Sequence, residues 1–201
     1  MRVALFFDGK NFYRAYKQVA PGQRIDFPGM ANWLVKRVGG NYLWGAYYYT
    51  GVGSPETGDD DGQQSLSRFL DMLETQPGFF VKRFPRKLRT LRCPHCQTLN
   101  RYLQEKEVDT TMVADILSLA AVGAYDIIVL VSGDADHAPA MEGAGEGPRG
   151  APARLRLCGC GRCRGVRTAL RRAWHAARAI SAPGVTRLDS EGCLSCFHRR
   201  A

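Results

Sequence analysis

The sequence predicts an α/β fold, with a mostly parallel central sheet and helices on both faces. Three observations carry the prediction. Short apolar runs rich in aromatic and β-branched residues alternate with stretches of helical period along most of the chain. Two of those runs, residues 2–7 and 126–132, are almost continuously apolar, as strands buried on both faces are. Both end abruptly in acid, the first at Asp8 and the second at Asp134 and Asp136. In open α/β sheets ligands sit outside the carboxyl ends of the strands, so these acids fall where a site belongs.

The elements follow in order. Residues 2–7 read as a buried first strand. Residues 10–19 carry Phe12, Tyr13, Tyr16 and Val19 at helical spacing. Residues 28–38 form a second helix with Met30, Leu34 and Val38 on one stripe, and Gly39-Gly40 ends it. The aromatic-rich residues 42–52 read as the second strand. Residues 54–62, with Pro, Gly and three consecutive aspartates, read as a loop. Leu66, Phe69, Leu70 and Leu73 make 63–74 an amphipathic helix. Residues 78–84 are the third strand. Residues 87–107 form an insertion with its own cysteine pair and little strand character. In the helix 110–121, Val113, Ile116, Leu117 and Ala120 are expected to face inward. Residues 126–132 are the fourth strand. A helix starting at 137–141 is expected to be broken by Gly143, Gly145, Gly147, Pro148 and Gly150. Residues 153–158 read as a fifth strand, 166–179 as a basic helix and 185–188 as a short last strand.

Length and charge bound the organisation. The 201 residues fit one domain of ordinary size with a small appendage, and the 45% apolar fraction is normal for a globular protein. We assign 1–158 to the main domain, with 87–107 as its insertion. Residues 159–201 form a basic extension that completes the sheet or a zinc site. The net charge of +9 is unevenly placed: residues 149–201 hold twelve arginines against Asp189 and Glu191. No acid interrupts the run from Lys82 through Arg83, Arg86, Lys87 and Arg89 to Arg92. Basic surface near an acidic site suits a phosphate-backbone ligand; the alternative is an ordinary solvated face. Only five apolar residues separate Arg2 from Asp8, too few for a signal peptide, and no run approaches a membrane span. A cytoplasmic protein without a membrane partner is expected. Seven cysteines, an odd number, then argue for thiols or metal rather than a disulfide framework.

Asp8, Asp109, Asp134 and Asp136 would be delivered to one place by such a sheet. Crowded carboxylates repel one another unless a cation joins them. Hard oxygen ligands suit Mg²⁺ or Mn²⁺, and both act on phosphates. Singly, Asp8, Asp109 and Asp134 each read first as a helix N-cap. Together they imply metal-dependent phosphodiester chemistry. An aspartyl-phosphate phosphatase would need a second acid two residues after Asp8, where Lys10 stands, and no G-x-G-x-x-G follows the first strand.

Three segments resemble a known family. FFDGKNFYRAY is similar to the opening motif of NYN domains, the LabA-like branch of the PIN nuclease superfamily. EKEVDTTMVADILSLA resembles the second motif and DIIVLVSGDADHAPAMEG the third, together spanning about residues 3–143. The resemblance implies a PIN-like three-layer α/β/α sandwich and a Mg²⁺- or Mn²⁺-dependent ribonuclease acting on single-stranded or structured RNA. It implies metal ligation by Asp8, Asp109, Asp134 and Asp136, with Asn11 orienting a water or phosphate. A cation-activated water would attack phosphorus in line, with no histidine or serine nucleophile. Asp115 matches a recurrent acid of the second motif. It lies about 240° around a helix from Asp109, so it reads as a supporting or structural residue. Ser132 and Gly133 would shape the turn that brings Asp134 in. Lys10, Lys82, Arg83, Arg86, Lys87 and Lys106 are candidate RNA contacts. His137 reads as a helix-start residue, with a metal role as the alternative.

Cys93-Pro94-His95-Cys96 is half of a Zn²⁺ site by its C-x-x-C spacing. Some LabA-like proteins carry a similar insertion before the second motif. Completion by Cys193 and Cys196 is one expectation; Cys160 and Cys163, with His95 and His198 in reserve, are another. A reduced pair, or a half-site completed by a second chain, stays open. A catalytically weak RNA-binding adaptor using the basic C-terminal region and the knuckle is the alternative function. A homo-oligomer or a regulatory protein, including an antitoxin, is the expected class of protein partner.

Overall fold

The computed structural model describes residues 1–19, 21–22, 24–53, 61–104, 107–145 and 154–156. A five-stranded sheet runs in the order β3-β2-β1-β6-β7, and every neighbouring pair is parallel. Its strands are β1 (Arg2–Asp8), β2 (Tyr42–Val52), β3 (Phe79–Pro85), β6 (Ile127–Val131) and β7 (Arg154–Arg156). The connecting helices are α1 (Gly9–Val19), α2 (Phe27–Arg37), α3 (Asp61–Glu74), α4 (Val108–Ala121) and α5 (Ala138–Gly145). A separate antiparallel ribbon pairs β4 (Lys87–Arg92) with β5 (Leu99–Gln104).

Period-two alternation along β1 sorts the core into two layers. Val3, Leu5 and Phe7 point to one face, against Phe12 of α1, Met30 and Leu34 of α2, and Leu70 and Leu73 of α3. Ala4 and Phe6 point to the other, against Met112 and Ile116 of α4 and Met141 and Ala144 of α5. The three-layer α/β/α sandwich is therefore the expected one. Parity also decides where the first acid goes. Asp8 continues the even series and emerges on the face that α4 and α5 cover.

From β1 the chain builds β2 and β3 on one side, then returns to place β6 on the other. The strand order reverses between β1 and β6, and a crevice opens at such a switch point. Phe7 pairs with Val131, so Asp8 and Ser132 leave the sheet side by side. The start of the same two strands is clamped by Arg2. Its guanidinium reaches Asp126 Oδ1 at 2.7 Å and the Gly123 carbonyl at 2.9 Å. Its amide donates to Asp126 Oδ2 at 2.7 Å.

Three expectations need correction. The insertion is not strand-poor: 87–92 and 99–104 form a ribbon whose β4 side chains are all exposed. Leu88 and Leu91 point into solvent rather than a core, so hydrophobic patterning could not reveal it. The buried face of α4 is Val108, Met112 and Ile116, with Leu117 exposed. The helix begins two residues earlier than its pattern suggests. Finally, α5 runs through Gly143 instead of breaking there. Gly143 lies where an added Cβ would stand 3.3 Å from Leu117 Cδ2, so its missing side chain lets α5 lie close on α4. The segments 166–179 and 185–188 lie outside the described residues.

Candidate metal centre

Asp8 ends β1 and is 3% exposed. Burial alone would push its carboxyl up, since the charged form loses water. Hydrogen bonds and a neighbouring imidazole reverse that. Asn11 donates twice, from its amide to Oδ1 at 3.1 Å and from its side chain to Oδ2. Ser132 Oγ donates to Oδ2 at 2.9 Å. With the His137 ring beside it, the net direction is down and Asp8 stays ionised. The cap and the site are thus one residue: Asp8 caps the first turn of α1 through the Asn11 amide while its charge stays in the crevice.

The segment after β6 is shaped by two short bonds. The Asp134 amide donates to Ser132 Oγ at 3.0 Å, and the Asp136 amide to Asp134 Oδ1 at 3.0 Å. The second is a side-chain turn that aspartate forms readily. It starts a single 3₁₀ turn, Ala135–His137, which swings His137 into the interior. Asp136 is left exposed.

His137 is 1% exposed, and its Nε2 has no hydrogen-bond partner. That atom lies 3.8 Å from Asp8 Oδ2 and 3.8 Å from Asp109 Oδ1. At such a distance the attraction is Coulombic rather than a hydrogen bond. The Asp8 carboxylate holds the imidazole above its ordinary pKa against the opposing effect of burial, with Asp109 and Asp134 adding to the attraction. Asp8, Asp109 and His137 each offer a ligand atom, and these lie within 4.8 Å of one another.

The expected four-aspartate cluster is therefore distributed. Asp8 and Asp109 meet, and Asp109 stands in the first turn of α4 rather than at its cap, which is Glu107. Asp134 is close enough to act on His137, but its Oδ1 is engaged in the turn. Asp115 lies away from this group, accepting from Tyr49 OH at 2.8 Å with Lys82 Nζ at 3.9 Å. Asp115 thus tethers α4 to β2 and β3.

Sequence reasoning gave too little weight to two residues. His137 follows a metal-type motif, yet nothing in its spacing says it points inward. Gly9 was passed over beside Asp8. An added Cβ there would stand 2.7 Å from the Tyr49 carbonyl oxygen and 2.6 Å from Tyr48 Cε1. Only glycine lets α1 start this close to β2.

The predicted basic contacts divide. Lys10, two residues after Asp8, is exposed; where β3 passes into the ribbon Arg86 is half-buried and Lys87 exposed. Arg83 is held on α3 by Asp71 at 2.8 Å and Glu74 at 2.9 Å. Lys106 lies outside the described residues. At the ribbon tip the Cys93 amide donates to the Thr98 carbonyl and the Gln97 amide to the Cys93 carbonyl, each at 2.9 Å. Gln97 takes φ 60° in this turn, and the Cys93 thiol lies within hydrogen-bond reach of Cys96. A hydrogen bond with Thr98 Oγ1 at 3.2 Å is the main cause that lowers the Cys96 thiol to about 7. Cys160, Cys163, Cys193, Cys196 and His198 lie outside the described residues.

The NYN domain family matches residues 2–147, which takes in every element from β1 to α5. The chain belongs to the NYN domain family. It is 33% identical over 142 residues to the low amplitude and bright protein LabA of Synechococcus elongatus. That match covers 70% of this chain and 66% of LabA, just under two thirds of the relative's length. Among solved structures, a Vibrio parahaemolyticus protein of unknown function is similar over 77% of this chain and 79% of its own. The TM-score is 0.44 and the identity 18%. The family match ends at residue 147, shortly after α5. The switch-point crevice holds a carboxylate and histidine group able to take a metal ion. No helix among the described residues is long and apolar enough to cross a membrane.

Proposed function

We propose that this NYN protein is a divalent-cation-dependent ribonuclease that hydrolyses RNA phosphodiester bonds in the β1/β6 crevice. One observation carries the reading: Asp8 is buried, ionised and braced by Asn11 and Ser132, yet faces Asp109 across the switch point. Two carboxylates and an imidazole nitrogen without a hydrogen bond, gathered this closely, favour a positive partner. The donor set fits Mg²⁺ or Mn²⁺, with Asp8 and Asp109 as ligands and Asp134 and Asp136 at the rim. Bound there, a cation supplies an activated water and offsets charge on the leaving oxygen.

The chain's own residues do the rest. Asn11 and Ser132 fix the Asp8 carboxylate so that little reorganisation is needed when substrate arrives. The Asp134 side chain orders the turn that carries His137. Exposed Lys10 stands beside Asp8, where it can meet a backbone phosphate. Farther out, the β4–β5 ribbon exposes Lys87, Arg89, Arg92 and Arg101 together with Tyr102. Cations interleaved with an aromatic ring suit a single strand, through phosphate pairing and base stacking. The Cys93 and Cys96 turn has the form of a two-thiolate half of a structural Zn²⁺ site.

That ribbon also favours a second reading, an RNA-binding adaptor without turnover. Cleavage of a labelled single-stranded RNA with Mn²⁺ or Mg²⁺, wild type beside Asp8→Asn, separates the two. Cleavage by the wild type alone, abolished by EDTA, is the expected result. RNA binding without cleavage by the folded wild type would sink the nuclease in favour of the adaptor.

A further inference from the structure

Among the described residues, His137 is the buried polar side chain at the crevice that the carboxylate mechanism does not use. Its Nε2 is fully enclosed without a hydrogen bond, which costs free energy in any folded protein unless something else occupies the lone pair or the proton. The two separations to Asp8 and Asp109 are equal, at 3.8 Å. Ligands on one ion with bonds of ~2.1 Å stand ~3 Å apart when adjacent and ~4.2 Å apart when opposite. The two histidine separations fall between those limits, and all three ligand atoms lie within 4.8 Å of one another.

Asp8 has room for an ion. It accepts three hydrogen bonds, from the Asn11 amide, the Asn11 side chain and Ser132. A carboxylate has about two acceptor sites on each oxygen, so the one that remains is on Oδ1, which takes only the Asn11 amide. The two other members of the group come from independent elements, Asp109 from α4 and His137 from the 3₁₀ turn after β6. Three elements therefore converge on one point, and the turn that delivers His137 is itself fixed by the Ser132 and Asp134 bonds.

We infer that His137 Nε2 is a ligand of the same cation as Asp8 and Asp109, making the centre a mixed nitrogen–oxygen site that prefers first-row transition ions to Mg²⁺. This rests on the reading of the crevice as a cation centre and sharpens which cation it takes. Mg²⁺ is a hard ion that holds oxygen ligands and water, whereas imidazole gains affinity along the series that begins at Mn²⁺. A buried nitrogen ligand thus disfavours Mg²⁺ through ligand chemistry rather than cavity size.

The test uses the full chain without RNA and Mn²⁺ as the probe. Pulsed electron paramagnetic resonance of bound Mn²⁺ reads coupling to a ligand ¹⁴N directly. The wild type is expected to show that coupling, and His137→Gln and His137→Phe to lose it. Half-displacement of Mn²⁺ by Mg²⁺ is expected to need at least about tenfold less Mg²⁺ in His137→Phe than in the wild type. Mn²⁺ bound without nitrogen coupling overturns the inference and leaves a carboxylate centre standing. Coupling that persists in a folded His137→Phe also overturns it, assigning the nitrogen to another of the four histidines. No Mn²⁺ binding by the folded wild type overturns both the inference and the cation centre beneath it.

Discussion

Ser132 Oγ donates to Asp8 Oδ2 at 2.9 Å and accepts from the Asp134 amide at 3.0 Å, so one hydroxyl ties the end of β1 to the turn after β6. Its two partners lie 124 residues back and two residues on in the chain. Ser132 is itself buried, at 2% exposure. Removing it strips a charge-assisted bond from Asp8 and leaves the Asp134 amide short of its acceptor.

Ser132→Ala is therefore expected to destabilise the fold by about 1–3 kcal/mol in urea unfolding. It should also slow metal-dependent RNA cleavage at least tenfold, because both the carboxylate and the turn lose their brace. Unchanged stability together with unchanged cleavage would show that the hydroxyl orders nothing.

Gly9→Ala tests the close approach of α1 to β2. The new methyl would meet the Tyr49 carbonyl, which is backbone and cannot swing aside. A loss of about 1–3 kcal/mol is expected from the forced shift, with Asp8 displaced along with it. Thermal unfolding and cleavage should fall together; a variant as stable and active as the wild type would refute the packing argument.

The Arg2–Asp126 clamp makes a statement about acid. Hydrogen bonds from Arg2 hold the Asp126 carboxyl well below the usual carboxylate range. A folded-state pKa below the unfolded value of ~3.9 gives stability that is present above that pH and lost as pH falls through the folded value. Asp126→Asn should accordingly be less stable than wild type at neutral pH. The gap should narrow progressively below about pH 4. A gap that stays constant from pH 7 to pH 3 would mean that the charge contributes nothing.

Cys96 offers a chemical readout of the ribbon tip. With its thiol lowered to about 7, mainly by the Thr98 side chain, it should be partly thiolate at neutral pH in the metal-free chain. Iodoacetamide is expected to label Cys96 at pH 7 faster than Cys93, and Thr98→Val to slow that labelling by moving the titration upward. Peptide mapping by mass spectrometry checks both. Equal labelling of the two cysteines at every pH would exclude the Thr98 contact as its cause.

Much of this molecule was legible from one dimension. The runs around Phe6 and Val129 identified their strands because strands buried on both faces must be apolar throughout. Acid at the end of each run marked the crevice, because charge is costly beside such strands unless it is used. Motif order carried the family from Asp8 through Asp109 to Asp134. The β4–β5 ribbon escaped notice because pairing between backbones leaves no hydrophobic signature when both faces meet water. Gly143 was misread for a related reason. Helix propensity is a local quantity, and close packing of α5 on α4 overrides it.

Sequence alone determined that the sheet is parallel and that its carboxyl ends are acidic. Only the tertiary structure decided which acids meet. Strand parity sent Asp8 to the α4 face, the helix start brought Asp109 opposite, and a 3₁₀ turn carried His137 inside while Asp136 stayed in solvent. Residue type and spacing fix what a side chain can do. Where it points after a turn depends on bonds such as Ser132 to Asp8, which form only when β1 and β6 lie side by side.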